Sequence, residues 1–503
     1  MLQRTLTALI TSALLAATLI SAPAVAAGPL PGATISAGDD HTCALDTSGA
    51  AWCWGSNSDG QLGDGTNTYY NTPTAVLDGH TFTSISAGGD STCALTSAGA
   101  AYCWGDNNEG QLGIGTNSDE STPHLVSGGY TFTSIDVGDL HTCALTPAGA
   151  AYCWGDNQDG TLGNGTNSDE NTPQLVLGGY AFANISLGQD HTCAATSAGA
   201  AYCWGDDGDE QLGNGVGPSS NTPQHVSGSH TFTSINAGDF HTCALTSAGA
   251  AYCWGEGSFG QLGNGGYASE NTPTAVSGGL TFTSIDPGDD HTCALASSGA
   301  AYCWGANENG ELGSGSFGGG DLPEPAPVIG GHTFVILIAN GFSGSNHNCA
   351  ITAAGAAYCW GANGDGQLGI GDNSNQNEPT LVIGGHVWMI PAGFEDDFNC
   401  GTLDATVCPT ITDAGSGKLI GAPGSAAMST PARYTWLSCR VAGGGTTSRP
   451  SDCRAGKTVT STGARFSRMA YRISLADRRS GYLRLAVQVR GTTYYSGTFD
   501  VRP

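Results

Sequence analysis

The string HTCALTSAGAAYCWG spans His241–Gly255 and recurs, with few changes, from His41, His141, His191 and His291. Each copy carries two cysteines with nine residues between them, a histidine two places before the first and a tryptophan directly after the second. Thiols at this spacing are open to three chemistries: a metal centre, a reactive thiolate, or a disulfide. Zinc needs four converging ligands, whereas each copy offers two thiols and no C-x-x-C spacing. A thiolate activated at neutral pH needs a neighbouring cation, and no Lys or Arg stands between Arg4 and Lys418. A three-residue turn at 247–249 puts Cys243 opposite Cys253 across an antiparallel hairpin, where Cβ atoms lie about 4.5–5.5 Å apart, within reach of a disulfide. The same count predicts bridges Cys43–Cys53, Cys93–Cys103, Cys143–Cys153, Cys193–Cys203, Cys243–Cys253, Cys293–Cys303 and Cys349–Cys359. Each closes a short loop and contributes roughly 2 kcal/mol in the loop-entropy account.

The histidines pose the same question. Six copies place one two residues before the first cysteine (His41, His141, His191, His241, His291, His347), and the second copy has Ser91 there. Zinc holds its ligands about 2.1 Å from one point. Histidines spread evenly around a ring of repeats stand too far apart for that, so they are expected to be structural. The Gly-Asx loops at 58–60, 158–160 and 364–366 lack the acidic spacing and closing Glu of an EF-hand loop. They are read as turns, with weak adventitious Ca²⁺ as the most they offer, and no cofactor is expected. No Ser/His/Asp set and no paired carboxylates stand out from the repeats, so the chain is not expected to be an enzyme.

The elements that position these residues follow from the repeat. Its period is 50 residues, broken once by a six-residue insertion before the seventh copy. In the fifth copy, strands are expected at 231–235, 241–246, 250–254 and 273–276, with Gly249 in the turn. Four strands per unit and seven units read as an all-β, seven-bladed β-propeller. The tryptophans (Trp54, Trp104, Trp154, Trp204, Trp254, Trp304, Trp360) are expected as core between blades. The repeat H-T-C-A-L-T-S-A-G-A-A-Y-C-W-G-x-N-x-x-G-Q-L-G-x-G resembles that of the regulator of chromosome condensation 1 family, in all seven copies from about residue 33 to 390. The resemblance implies the same propeller. The family pattern has no cysteines at these places, so the bridges are additions to it.

Compartment and domain order follow from the flanks. Residues 1–27 carry one early charge, an apolar run and a small-residue end, and are expected to be a secretory signal peptide. The propeller is placed at 28–393. A linker at 394–408 is expected to hold a Cys400–Cys408 loop. Beyond it the charge inverts: 14 of the 15 basic residues lie past position 410, against four acids, while 39 of the 43 acids precede it. Segments near 433–440, 464–475 and 481–491 read as strands, and period-two alternation in the last puts Arg484, Gln488 and Arg490 on one face. The Trp-x-x-Cys … Cys … Tyr … Gly-x-x-Leu-Arg order resembles Ig-like modules of secreted bacterial surface proteins. This implies a small basic β-sandwich at 409–503 with Cys439 paired to Cys453.

The copies disagree just before each histidine. Asp39, Asp40, Asp90, Asp139, Leu140, Asp190, Asp239, Phe240, Asp289 and Asp290 form a candidate binding collar at one mouth of the ring. Drift under selection for solubility would also leave such a surface. The expected function is a secreted, non-enzymatic binding scaffold, monomeric and without a membrane span. Its partner would be a protein or a cell-surface polymer rather than nucleic acid, for which no aromatic-interleaved basic motif is present. Two other readings stay open. One is a guanine nucleotide exchange-type regulator, which the family resemblance implies but an export signal opposes. The other is a passive structural surface protein.

Overall fold

The computed structural model describes residues 33–390 apart from 78, 216, 319 and 341–345, and strand backbone only within 410–500. The expected signal peptide, the 394–408 linker with Cys400–Cys408, and the Cys439–Cys453 pairing lie outside the described residues and side chains.

The fifth blade shows how the repeat folds. Phe232–Ala237, His241–Thr246, Ala251–Gly255 and Glu270–Ala275 pair antiparallel in that order. Thr246 N–H donates to Ala250 O at 3.0 Å, closing the hairpin around Gly249 at φ +76°. A Cβ on Gly249 would stand 2.8 Å from Phe282 O of the next blade, so both the turn and the close approach require glycine. The fourth strand starts three residues earlier than expected, because a bulge between Cys253 and Gly255 lets Glu270 pair with Gly255. Cys243 faces Cys253, and the equivalent pairs face each other in the other six blades. Seven disulfides form, with Cα atoms 4.1–4.2 Å apart. That separation is close to the ~4.5 Å of non-hydrogen-bonded cross-strand pairs.

Seven such sheets make the propeller, and its core lies between blades rather than within them. Cys243, Leu245 and Leu262 of one blade pack with Phe282, Ile285 and Trp304 of the next. A sheet this small cannot bury both faces alone, so each blade is stable only against its neighbours. The first strands of adjoining blades touch one another all round the ring, which makes them the innermost.

The ring closes within a single strand. The sequence suggests that 33–36 and 387–391 are two copies of one strand, one of them redundant; the structure instead uses both as halves. Trp388 N–H donates to Gly355 O and Met389 N–H to Leu45 O, the places taken by Phe132 and Thr133 in the third blade. Ile35–Ala37 then continues the line against Thr42–Ala44. The seam is tied where Thr34 Oγ1 donates to Met389 O at 2.7 Å.

Beyond the ring, Thr410–Asp413, Lys418–Ala422 and Met469–Arg472 pair in one antiparallel sheet. Ala432–Cys439, Arg454–Ser461, Tyr482–Val489, Thr492–Tyr495 and Phe499–Asp500 pair in a second.

Candidate binding face

Behind the collar stands a hydrogen-bond frame that fixes it. Thr92 Oγ1 donates to Gln61 O at 3.0 Å, so its oxygen is left to accept from His41 Nε2, 2.9 Å away. His41 is therefore the Nε2–H tautomer. The same carbonyl accepts Trp104 Nε1–H at 2.9 Å. One relay thus ties histidine, threonine, tryptophan and the loop carbonyl across a blade boundary, and it recurs around the ring except where Ser91 or Asn348 takes the place of histidine or threonine. It recurs at the seam, where His347 Nε2 meets Thr42 Oγ1 at 2.8 Å and Trp54 Nε1 donates to Gln367 O. Burial holds the imidazoles of His41, His141 and His241 down to about 3 and that of His191 to about 4, so they are neutral braces. At the boundary of the sixth and seventh blades, Asn348 of the seventh takes the threonine's place and bonds His291 Nε2 of the sixth at 2.8 Å. All seven tryptophans are fully buried, as their place between blades requires.

The first-to-second and third-to-fourth strand loops emerge at the same end of the ring, because alternate strands run the same way. At that end the expected collar separates into two sets. Asp40, Asp90, Leu140, Asp190, Phe240 and Asp290 are half-buried and reach the surface. Of the residues before them, Asp39 and Asp139 are half-buried, whereas Asp239 and Asp289 are buried. Two collar carboxylates also clasp the preceding blade: Gln367 Nε2 donates to Asp40 Oδ1 at 2.9 Å and Gln61 Nε2 to Asp90 Oδ1 at 2.6 Å. Burial first, then neighbouring carboxylates, pushes Asp90 and Asp190 up to about 6 and Asp290 to about 7.

Sequence reasoning missed a second acidic ring outside the collar. Asp59 of the first blade meets Asp106 and Asp119 of the second, with ligand atoms within 4.8 Å of one another. Glu109, Asp156 and Asp169 repeat this at the next boundary. Among the described residues, these two trios are the groups able to converge on a cation. The signal was present in register, since acids recur at 59, 109, 159 and 209 and at 106, 156, 206 and 256. What the sequence does not say is that these two rows face each other across a blade boundary. At the axis, Asp136 and Asp286 hold the next blade by accepting Leu187 N–H and Ala339 N–H at 3.0 Å. Enclosure pushes these carboxyls up to about 6 and about 7. In the sixth blade Glu311 replaces the loop glutamine; it is 1% exposed, Oε1 has no partner, and burial raises its carboxyl to about 7.

This arrangement is a rigid ring that presents carboxylates, with Leu140 and Phe240 interrupting them. Among the described residues no helix is long and apolar enough to cross a membrane.

Among curated proteins, the human E3 ubiquitin-protein ligase HERC2 is 34% identical over 91 residues, 18% of this chain and 2% of that one. The chain therefore matches only a small part of that relative's length. Among solved structures, Prp20p of Saccharomyces cerevisiae is similar at 24% identity and TM-score 0.60, over 68% of this chain and 87% of that one. Yeast RCC1 (Prp20) bound to Kap60 gives 21% and 0.62, over 75% and 92%. Human WBSCR16 gives 22% and 0.57, over 63% and 85%. The RCC1 repeat profile matches residues 33–61 and 48–95. The profile of the RCC1-like domain matches residues 77–397, well over half of the sequence, and the chain belongs to that family.

Proposed function

We propose that this protein is an exported, monomeric, non-enzymatic scaffold whose acidic loop face binds a protein partner. The observation that carries the reading is the contrast within each repeat. The relay of histidine, threonine, tryptophan and loop carbonyl is nearly constant, whereas the half-exposed side chain just before the histidine changes from Asp to Leu140 and Phe240. A constant frame under varied exposed side chains is how recognition surfaces are built. Export is supported by seven bridges with no cation nearby to activate a thiolate, a pattern suited to an oxidising compartment. Protein binding is supported by the similar yeast propellers, described with Gsp1p and histones and with Kap60. The two C-terminal sheets, with their basic sequence, fit an Ig-like sandwich module.

The test is capture from the native culture medium by the whole chain and by a Leu140→Ala, Phe240→Ala variant, both half-exposed positions that leave the relay intact. A partner held by the parent and lost by the variant supports the reading. Equal capture by both sinks it.

A further inference from the structure

The loop face carries far more negative charge than the molecule around it neutralises. The described propeller contains no Lys or Arg, and its carboxylates can pair only with histidines, as Glu120 does with His124 at 3.2 Å. Carboxylate oxygens crowd to within 4.8 Å at two successive blade boundaries. Beneath the same face, Glu311 keeps a buried oxygen without a partner. The missing cations are elsewhere in the same chain. Fourteen basic residues fall from Lys418 to Arg502, against three acids in that stretch, Asp452, Asp477 and Asp500. The two are close enough to meet: 19 residues separate Ile390, the last described residue of the propeller, from Thr410, where the first C-terminal strand begins. That length spans up to roughly 60 Å when extended.

We propose that the acidic loop face docks the basic C-terminal region of its own chain, residues 418–502. The tether raises the effective concentration of the two surfaces for each other, and their opposite charges supply the attraction. The attraction is screened by salt, since exposed charges interact over about 10 Å at 0.1 M and about 3 Å at 1 M. Docking covers the face assigned above to partner recognition, so a partner must displace the C-terminal region or bind a molecule already opened by salt. The proposal rests on that assignment.

Trypsin reads the docked state directly, because every Lys and Arg other than Arg4 lies at 418 or beyond. The whole chain is digested at low and high salt beside a variant carrying Asp59→Asn, Asp119→Asn and Asp169→Asn, exposed or half-exposed carboxylates of the two trios. Circular dichroism confirms that the variant is folded. At about 20 mM salt the parent should lose its C-terminal region roughly fivefold more slowly than the variant. The difference should vanish near 0.5 M, where screening is nearly complete. Protection should not depend on chain concentration. Equal rates at low salt overturn the proposal. So does protection that grows with concentration, which would give the face to a second copy. Partner capture is measured separately, so equal trypsin rates with capture intact would remove the docking and leave the binding face standing.

Discussion

Two threonines at equivalent positions differ in what depends on them. Thr92 accepts from His41 Nε2 and donates to Gln61 O. Thr142 donates to Gln111 O in the same way, but the preceding blade has Ser91 in place of histidine, and its hydroxyl has no partner. Thr92→Val therefore strands a buried imidazole N–H, whereas Thr142→Val removes one bond from a carbonyl that still accepts Trp154 Nε1–H. An orphaned buried donor costs about 1–3 kcal/mol, so Thr92→Val should lower the urea midpoint clearly more than Thr142→Val. Equal losses would mean that the histidine contributes packing and no bond. Glu311 is the opposite case, a residue that weakens its own blade. Its folded carboxyl sits near 7 against an ordinary 4.5 because it is buried with one oxygen unpaired. The folded state then binds the extra proton between those values, so this contribution to stability is lost as pH rises through 7. Glu311→Gln, the residue most other blades carry, should add little at pH 4.5 and roughly 2–3 kcal/mol at pH 8. The same gain at both values would show that its charge is irrelevant.

Closing the ring inside a strand makes that strand depend on both ends of the domain. Trp388 is 2% exposed, lies 5.6 Å from the ring of Trp54, and occupies the place that phenylalanine takes at the other boundaries. Trp388→Ala removes the apolar anchor of the C-terminal half and should cost about 3–5 kcal/mol, read from urea unfolding. A loss under about 1 kcal/mol would show that Ile35–Ala37 holds the seam alone. The seam also marks where the sequence stopped being readable. Counting across a three-residue turn was enough to place Cys243 opposite Cys253, because hairpin register is local. Trp254 read correctly as core, since a large aromatic repeated in a strand has few other places to go. The split strand was not legible, because each half matches the repeat and the sequence does not say which half pairs where. The bond from His41 to Thr92 and the meeting of Asp59 with Asp106 are hidden for a related reason. Both cross a blade boundary, and a repeat read one copy at a time shows nothing about how neighbouring copies face each other. The collar was legible as variation, but burial of Asp239 and Asp289 depends on loop geometry that variation does not reveal.

The pH response of the whole ring is set by two opposed populations of buried groups. The braces His41, His141, His191 and His241 have folded values of about 3 to 4 against an ordinary 6.5. The unfolded chain therefore binds the extra protons, and stability falls as pH drops from about 6.5 toward 3. The enclosed carboxyls of Asp136, Asp286 and Glu311 have folded values of about 6 to 7 against 3.8 for aspartate and 4.5 for glutamate. For these the folded chain binds the extra protons, and stability falls as pH rises from about 4 to 7. Asp90, Asp190 and Asp290 act in the same direction, though half-buried and so screened by water. Between the two limits the populations oppose each other. Below about pH 4 the carboxyls are protonated in both states, and only the histidines still act. Above about pH 7 the histidines are neutral in both states, and the enclosed carboxylates together with the uncompensated acidic face are at their most costly. Thermal unfolding should therefore occur highest near pH 5, falling on both sides and lower at pH 8 than at pH 5. Salt should recover part of the loss at pH 8, because it screens the exposed carboxylates, and little of the loss at pH 3, because the imidazoles are buried. A midpoint that rises steadily from pH 5 to pH 8 would show that the enclosed carboxyls do not govern the stability of the ring.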